Sequence, residues 1–253
     1  MRRDAYVVGL SALIVAVLLA DVGLFDLDRL ARGLENLGTF SKDTVPPDFG
    51  IVPDLVDPLV ETVEMAVAGT FLGFVLSVPL GLVGARNLSP LPLVAVARLI
   101  VAVTRTIPTL VWAILFVIMV GLGPLAGTLG IAIYTVGYLG KLYAEAFEAA
   151  DPEVVEAVRG VGASRAQLAR FVLWPEAANS LLSQLMFMVE YNIRASSILG
   201  FVGAGGIGFY IQVYVQTLQY QRLAALLLLT LALVLLLDVL SAWVRERYLL
   251  TAR

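Results

Sequence analysis

The chain has 253 residues, 60% of them hydrophobic and 15% charged, with a formal net charge of −3. That balance lies far from an ordinary soluble domain and puts the chain in a lipid bilayer. It has no cysteine and no histidine, which excludes disulfides, thiolate nucleophiles and histidine-based metal or acid–base sites.

A bilayer core of roughly 30 Å takes about 20 apolar helical residues to cross. Windows near residues 5–24, 65–85, 177–201 and 223–243 meet that length, and the uncharged stretch 106–140 holds two more, split by Gly121, Gly123 and Pro124. None shows the period-two alternation of a membrane barrel, so the expected fold is all-α, a polytopic transmembrane helix bundle of about six spans. Met1-Arg2-Arg3 before an apolar run has the outline of a signal peptide. The run is long, however, and no small-residue cleavage site stands near Asp21, so a retained first helix is expected.

With the amino terminus inside, about six spans leave Arg2, Arg3, Arg86, Arg98, Lys141, Arg159, Arg165, Arg170, Arg245, Arg247 and Arg253 in the cytoplasm, against Arg29, Arg32, Lys42 and Arg222 outside. This follows the positive-inside rule and makes both termini cytoplasmic. The main external segment, 26–58, is acidic and carries Pro46, Pro47, Pro53 and Pro58, which predict short irregular pieces. A connector and a docking role are both open for it. No linker or repeat divides the chain, so one transmembrane domain covering 1–253 is expected.

The most informative stretch is 151–175, a polar interruption of a hydrophobic chain. Asp151-Pro152-Glu153 reads as a helix start, with an acceptor for orphan amides, a proline that has no amide to lose, and an acid suited to the helix dipole. Gly160 and Gly162 stop that helix; Ser164 with Gln167 then forms a capping-box pattern that opens a second, ending at Pro175. A rigid helix pair of this kind suggests a lever.

Two further features carry chemistry. Glu190 and Arg194, four residues apart inside the fifth span, face one side, line a pathway or pair with each other, and Arg194 falls in the outer half of that span. Asn192 and Ser197 lie nearby. Arg105, one turn into the third helix, either faces the same pathway or snorkels to headgroups. Gly203, Gly205 and Gly208 match the spacing of a dinucleotide fingerprint, but a membrane helix precedes them and no acid follows before Asp238. Together with Gly206 they allow a gate, amide donors for an anion, or close packing.

The cytoplasmic stretch resembles the coupling loop of permease subunits of ABC importers, in which Glu-Ala-Ala is followed at fixed intervals by Gly, Ile and Leu-Pro. Glu156, Ala157, Gly162 and Pro175 fall in register, while Val158, Val172 and Trp174 depart from the pattern and stay apolar. The resemblance implies that Glu156, Ala157, Arg159, Gly162, Ala163, Ser164, Arg165, Gln167 and Pro175 couple to an ATPase, with residues 144–176 as the coupling segment and about 60–244 as the permease core. The run from Glu190 to Gly208, with Arg105-Thr-Ile-Pro108, 121–127 and 139–145, is similar to phosphonate-type permeases. That likeness implies a type I, methionine-importer-like architecture and substrates such as phosphonate, phosphate or phosphite. It further implies a homodimer, two ATPase subunits that bind ATP and Mg, an external solute-binding protein, and no nucleic acid. No cofactor is expected in this chain, nor an enzyme activity of its own. Rival expectations are an importer of methionine or glycine betaine, an intramembrane enzyme, for which the catalytic material is poor, and a membrane scaffold.

Overall fold

The computed structural model describes residues 2–248; the expectations placed on Met1 and Arg253 lie outside them. The described residues are mostly helical, joined by short turns, and contain no strand. They fall into two compact units, Met1–Pro47 and Asp48–Arg253.

The first unit holds α1 (Arg2–Asp21) and α2 (Leu27–Asp43). The 20 residues of α1 rise by roughly 30 Å, but Arg2, Arg3 and Asp4 occupy its start and its apolar part is the shorter run Tyr6–Asp21. The Asp26 carboxylate caps α2 by accepting from the Arg29 amide at 2.9 Å. In α2, Leu27, Leu30, Leu34 and Leu37 recur at helical spacing, opposite a charged face. The irregular external segment expected here is therefore a 17-residue helix, because its prolines all lie beyond it.

The second unit begins with a 3₁₀ turn, Phe49–Ile51, and α3 (Val52–Gly84). Pro53 sits in the first turn of α3, where its missing amide costs nothing, and Pro58 lies within the helix. The second span thus starts well before residue 65. Then follow α4 (Leu91–Thr106), α5 (Thr109–Val120) and α6 (Pro124–Glu148). The expected third span is corrected: α5 has only 12 residues, and α4 and α5 form one broken element bent by 90° at Ile107-Pro108. Proline drives its predecessor out of the helical region, and Ile107 has a ψ of 123°. Arg105 accordingly ends α4 instead of starting a helix.

The polar stretch forms α7 (Pro152–Gly160) and α8 (Arg165–Leu168), and a π-turn, Ala169–Leu173, runs straight into α9 (Trp174–Leu199). Pro175 is in the first turn of α9, so it opens a membrane helix where a stop was expected. A 3₁₀ turn, Gly200–Val202, then α10 (Ile207–Gln216) and α11 (Tyr220–Tyr248) complete the chain. Among the described residues α3, α6 and α11 are each long and apolar enough to cross a membrane, and the bent pairs bring the total to as many as 5.

The centre of this unit is α6. Small residues on α3, Gly69, Gly73, Ser77 and Gly81, recur every fourth position and let α6 approach closely. A Cβ at Gly73 would stand 2.5 Å from Thr135 Cβ, and one at Gly69 2.7 Å from Ile131 Cγ2. The opposite side of α6 does the same for α4 and α5: Gly130 abuts Ala113, Gly137 abuts Arg105 and Thr104, and Gly140 abuts Val101.

Candidate functional site

At the end of the bundle where α6 meets α7, the polar segment is joined to the core. Val155, Leu168, Val172 and Leu173 are buried in one cluster with Tyr143, Phe147, Leu181 and Met188. The local caps form as expected: Asp151 Oδ1 accepts from the Glu153 amide at 2.9 Å, and Ser164 and Gln167 complete both bonds of the capping box. Longer bonds fix the segment further. The Asp151 amide donates to Glu176 Oε2 at 3.2 Å, and Arg159 donates to the Asn87 carbonyl, while Asn87 Nδ2 donates to Phe147 O at 2.7 Å. Glu148 accepts from the Arg86 amide and pairs with Arg98 Nη2 at 2.7 Å.

What remains exposed is the corner between α7 and α8. Gly162 has a φ of 82°, a left-handed conformation that disfavours any side chain, and beside it Val161 is 84% exposed. Glu156, Ala157, Arg159, Arg165 and Gln167 also face outward, whereas Ala163 is half-buried. Val161 was not legible as a site residue, since an apolar residue between glycines carries no signal until its exposure is known.

The residues grouped in sequence as a pathway do not converge. Asn192 is fully buried, and its Nδ2 donates to Thr70 Oγ1 at 2.8 Å and to Thr135 Oγ1 at 2.9 Å, tying α9 to α3 and α6. Arg194 follows Asn192 by two residues, toward the Leu199 end of α9. Arg194 forms an ion pair of 3.1 Å with Asp238 of α11, the two side chains 53% and 41% exposed. Ser197 donates to its own helix, to Ile193 O at 3.3 Å.

The glycine run packs and is capped. Gly203, Gly205 and Gly206 have φ of 78°, 86° and 70°. The Gly206 amide donates to Glu61 Oε1 at 3.0 Å and the Ile207 amide to Thr62 Oγ1 at 2.9 Å. The start of α10 therefore already holds a carboxylate from α3. Gly208 lies against Gly200 and the Ser197 carbonyl, with no room for a side chain.

Arg105 belongs to a different face. It lines a cavity of about 330 Å³ between α3, α4 and α6, with Arg98, Thr106, Lys141 and Glu145. Arg98 lies in α4 and Lys141 in α6. On α6 the half-buried Tyr134 and Tyr138 and the exposed Lys141 and Glu145 share one face. Tyr134 stacks on Tyr191 of α9 at 5.9 Å, and Tyr138 on Phe187 at 6.2 Å.

The model of the family described as binding-protein-dependent transport system inner membrane component matches residues 77–249, which includes the α7–α8 corner and the Arg105 face. The chain belongs to that family. As a permease, it is 40% identical over 228 residues to the phosphite transport system permease protein PtxC of Stutzerimonas stutzeri, covering 90% of this chain and 83% of that one. The phosphate-import permease protein PhnE of Mycolicibacterium smegmatis is 36% identical over 94% of this chain, which spans about half (46%) of that protein. Among solved structures, the permease is similar to a chain of the MetNI methionine ABC transporter, at 25% identity and a TM-score of 0.67, covering 79% of this chain and 98% of that one. The expected type I ABC permease architecture is thus the observed one. The permease is a multi-pass membrane component of an ABC transporter and leaves ATP hydrolysis to a separate subunit.

Proposed function

We propose that the permease imports phosphite-, phosphate- or phosphonate-like oxyanions across the bacterial cytoplasmic membrane. It works as a homodimer with two ATPase subunits, which bind ATP and Mg²⁺, and with an external solute-binding protein. The relatives named for phosphite and phosphate transport support the substrate class.

The observation that carries the mechanism is the corner between α7 and α8, exposed at its tip and buried at its root. A loop only linking two spans needs no buried root. With Val155, Leu168 and Leu173 locked into the bundle, displacement of the corner by an ATPase is transmitted to α6 and α9 and is not absorbed by bending. Alternating access follows if nucleotide-bound ATPase favours one arrangement of these helices, because only differential affinity shifts a population.

Reconstitution with the ATPase and binding protein in vesicles tests this reading. Phosphite or phosphate uptake should depend on ATP and on the binding protein, and methionine should not substitute. The Gly162→Trp variant should insert normally, lose uptake and lose the stimulation of ATP hydrolysis by the binding protein. Coupled uptake in that variant would remove the lever, and selective methionine uptake by the wild type would remove the oxyanion reading.

A further inference from the structure

We propose that the Arg105–Lys141 cavity is a binding site for a phosphate-class oxyanion, placed between mid-depth and the α7 end of the bundle. The inference rests on the permease reading given above and assigns to it a station that no relative's name supplies.

Depth is the first argument. The Arg105 backbone is pressed against Gly137, where a Cβ would lie 2.5 Å from the Arg105 nitrogen. Gly137 precedes the α6 terminus at Glu148 by eleven residues, roughly 16 Å along the axis. An arginine side chain there does not reach that end of α6 by extension. A cation at that depth is costly unless water or a counter-charge meets it.

Charge is the second. Arg98, Arg105 and Lys141 line the cavity against one carboxylate, Glu145. Arg98 is already held by Glu148 and the Gly84 carbonyl. Among the described residues Lys141 pairs with an exposed partner one turn away, Glu145 at 3.2 Å, a pair of small worth that a stronger anion can displace. Among the described residues no carboxylate forms an ion pair with Arg105, in contrast to Arg194 with Asp238. Two available cations, the Thr106 hydroxyl and a cavity of about 330 Å³ suit a small oxyanion with several acceptor oxygens.

Continuity is the third. Tyr134, Tyr138, Lys141 and Glu145 carry a polar and aromatic face down α6 from the depth of Arg105 toward Glu148. An anion leaving Arg105 meets Lys141 next and is then repelled past Glu145.

The same chemistry is offered by a free oxyanion and by the phosphate of an anionic lipid, and the test separates them. The full-length permease is placed in nanodiscs of phosphatidylcholine alone, or of an equal mixture with phosphatidylglycerol, and equilibrium binding of radiolabelled inorganic phosphate is measured. Arg105→Gln should bind about 10- to 100-fold more weakly, the loss expected for one charge-assisted hydrogen bond. Lys141→Gln should weaken binding less, Arg105→Lys should restore part of it, and Arg194→Gln should leave it unchanged. Binding in phosphatidylcholine that persists in the mixture assigns the site to the free ion. If phosphatidylglycerol instead binds in an Arg105-dependent way and displaces phosphate, the ligand is the headgroup; either result supports the proposal. Equal binding, or none, by the wild type and Arg105→Gln in both lipids overturns it. The assay uses neither ATP nor the binding protein, so a failure of oxyanion uptake in vesicles leaves its outcome independent.

Discussion

Replacing Asn192 by leucine removes an amide that ties α9 to α3 and α6 through Thr70 and Thr135. The gain from those bonds is partly offset, because Asn192 Oδ1 is buried without a partner. Interhelical hydrogen bonds in membranes contribute on the order of 0.6 kcal/mol and rarely reach 2, so Asn192→Leu should destabilise by about 1 kcal/mol. Asn192→Asp should be far worse, since it buries a charge with no cation within the staple. Thermal unfolding in detergent checks both; a more stable aspartate variant would refute the account. Residue identities around 151–175 were legible because caps are local: Asp151 meets Glu153, and Ser164 meets Gln167, within three positions. Arg105 was legible as a candidate but its surroundings were not, because its neighbour Lys141 arrives 36 positions later across a helix packing that no spacing reveals.

At the scale of elements, the approach of α3 to α6 depends on missing side chains. Gly73→Leu would force the helices apart over Thr135 and Ala132, and the variant should fail to accumulate in the membrane, whereas Val75→Leu, on the exposed side, should accumulate normally. Immunoblotting of membrane fractions decides it. Arg194 and Asp238 join α9 to α11 in the same unit. Removing one partner leaves the other charge unpaired on an apolar helix, so Arg194→Gln should lower thermal stability more than the double variant Arg194→Gln with Asp238→Asn. Additive losses would show that the pair is not coupled. The existence of the long apolar helices was legible from composition alone. The break between α4 and α5 was not: α4 carries Arg98 and Arg105, which hide it from a search for uncharged windows, and only Pro108 marks the bend.

For the whole molecule, sidedness is the property that unites the corner, the cavity and the proposed direction of transport. The chain has no cysteine, so Val161→Cys supplies a single reporter at an exposed tip. A membrane-impermeant maleimide should label it in inside-out vesicles and not in intact cells, and the ATPase subunit should protect it. Labelling from outside would invert the proposed orientation and with it the role of the lever. Composition established the membrane and the coupling pattern established the likeness to importers. The separation of Arg105 from Arg194 needed the packed helices, because both are arginines near proline or small residues in apolar surroundings, and only their neighbours distinguish them.

The π-turn at Ala169–Leu173 sets the angular bearing of α9 relative to α8. Each residue of an α-helix turns the chain by about 100°, so shortening this wide turn by one position would spin the whole of α9 on its axis. Asn192 would swing away from both threonines and Arg194 from its aspartate, although no atom of either had been altered.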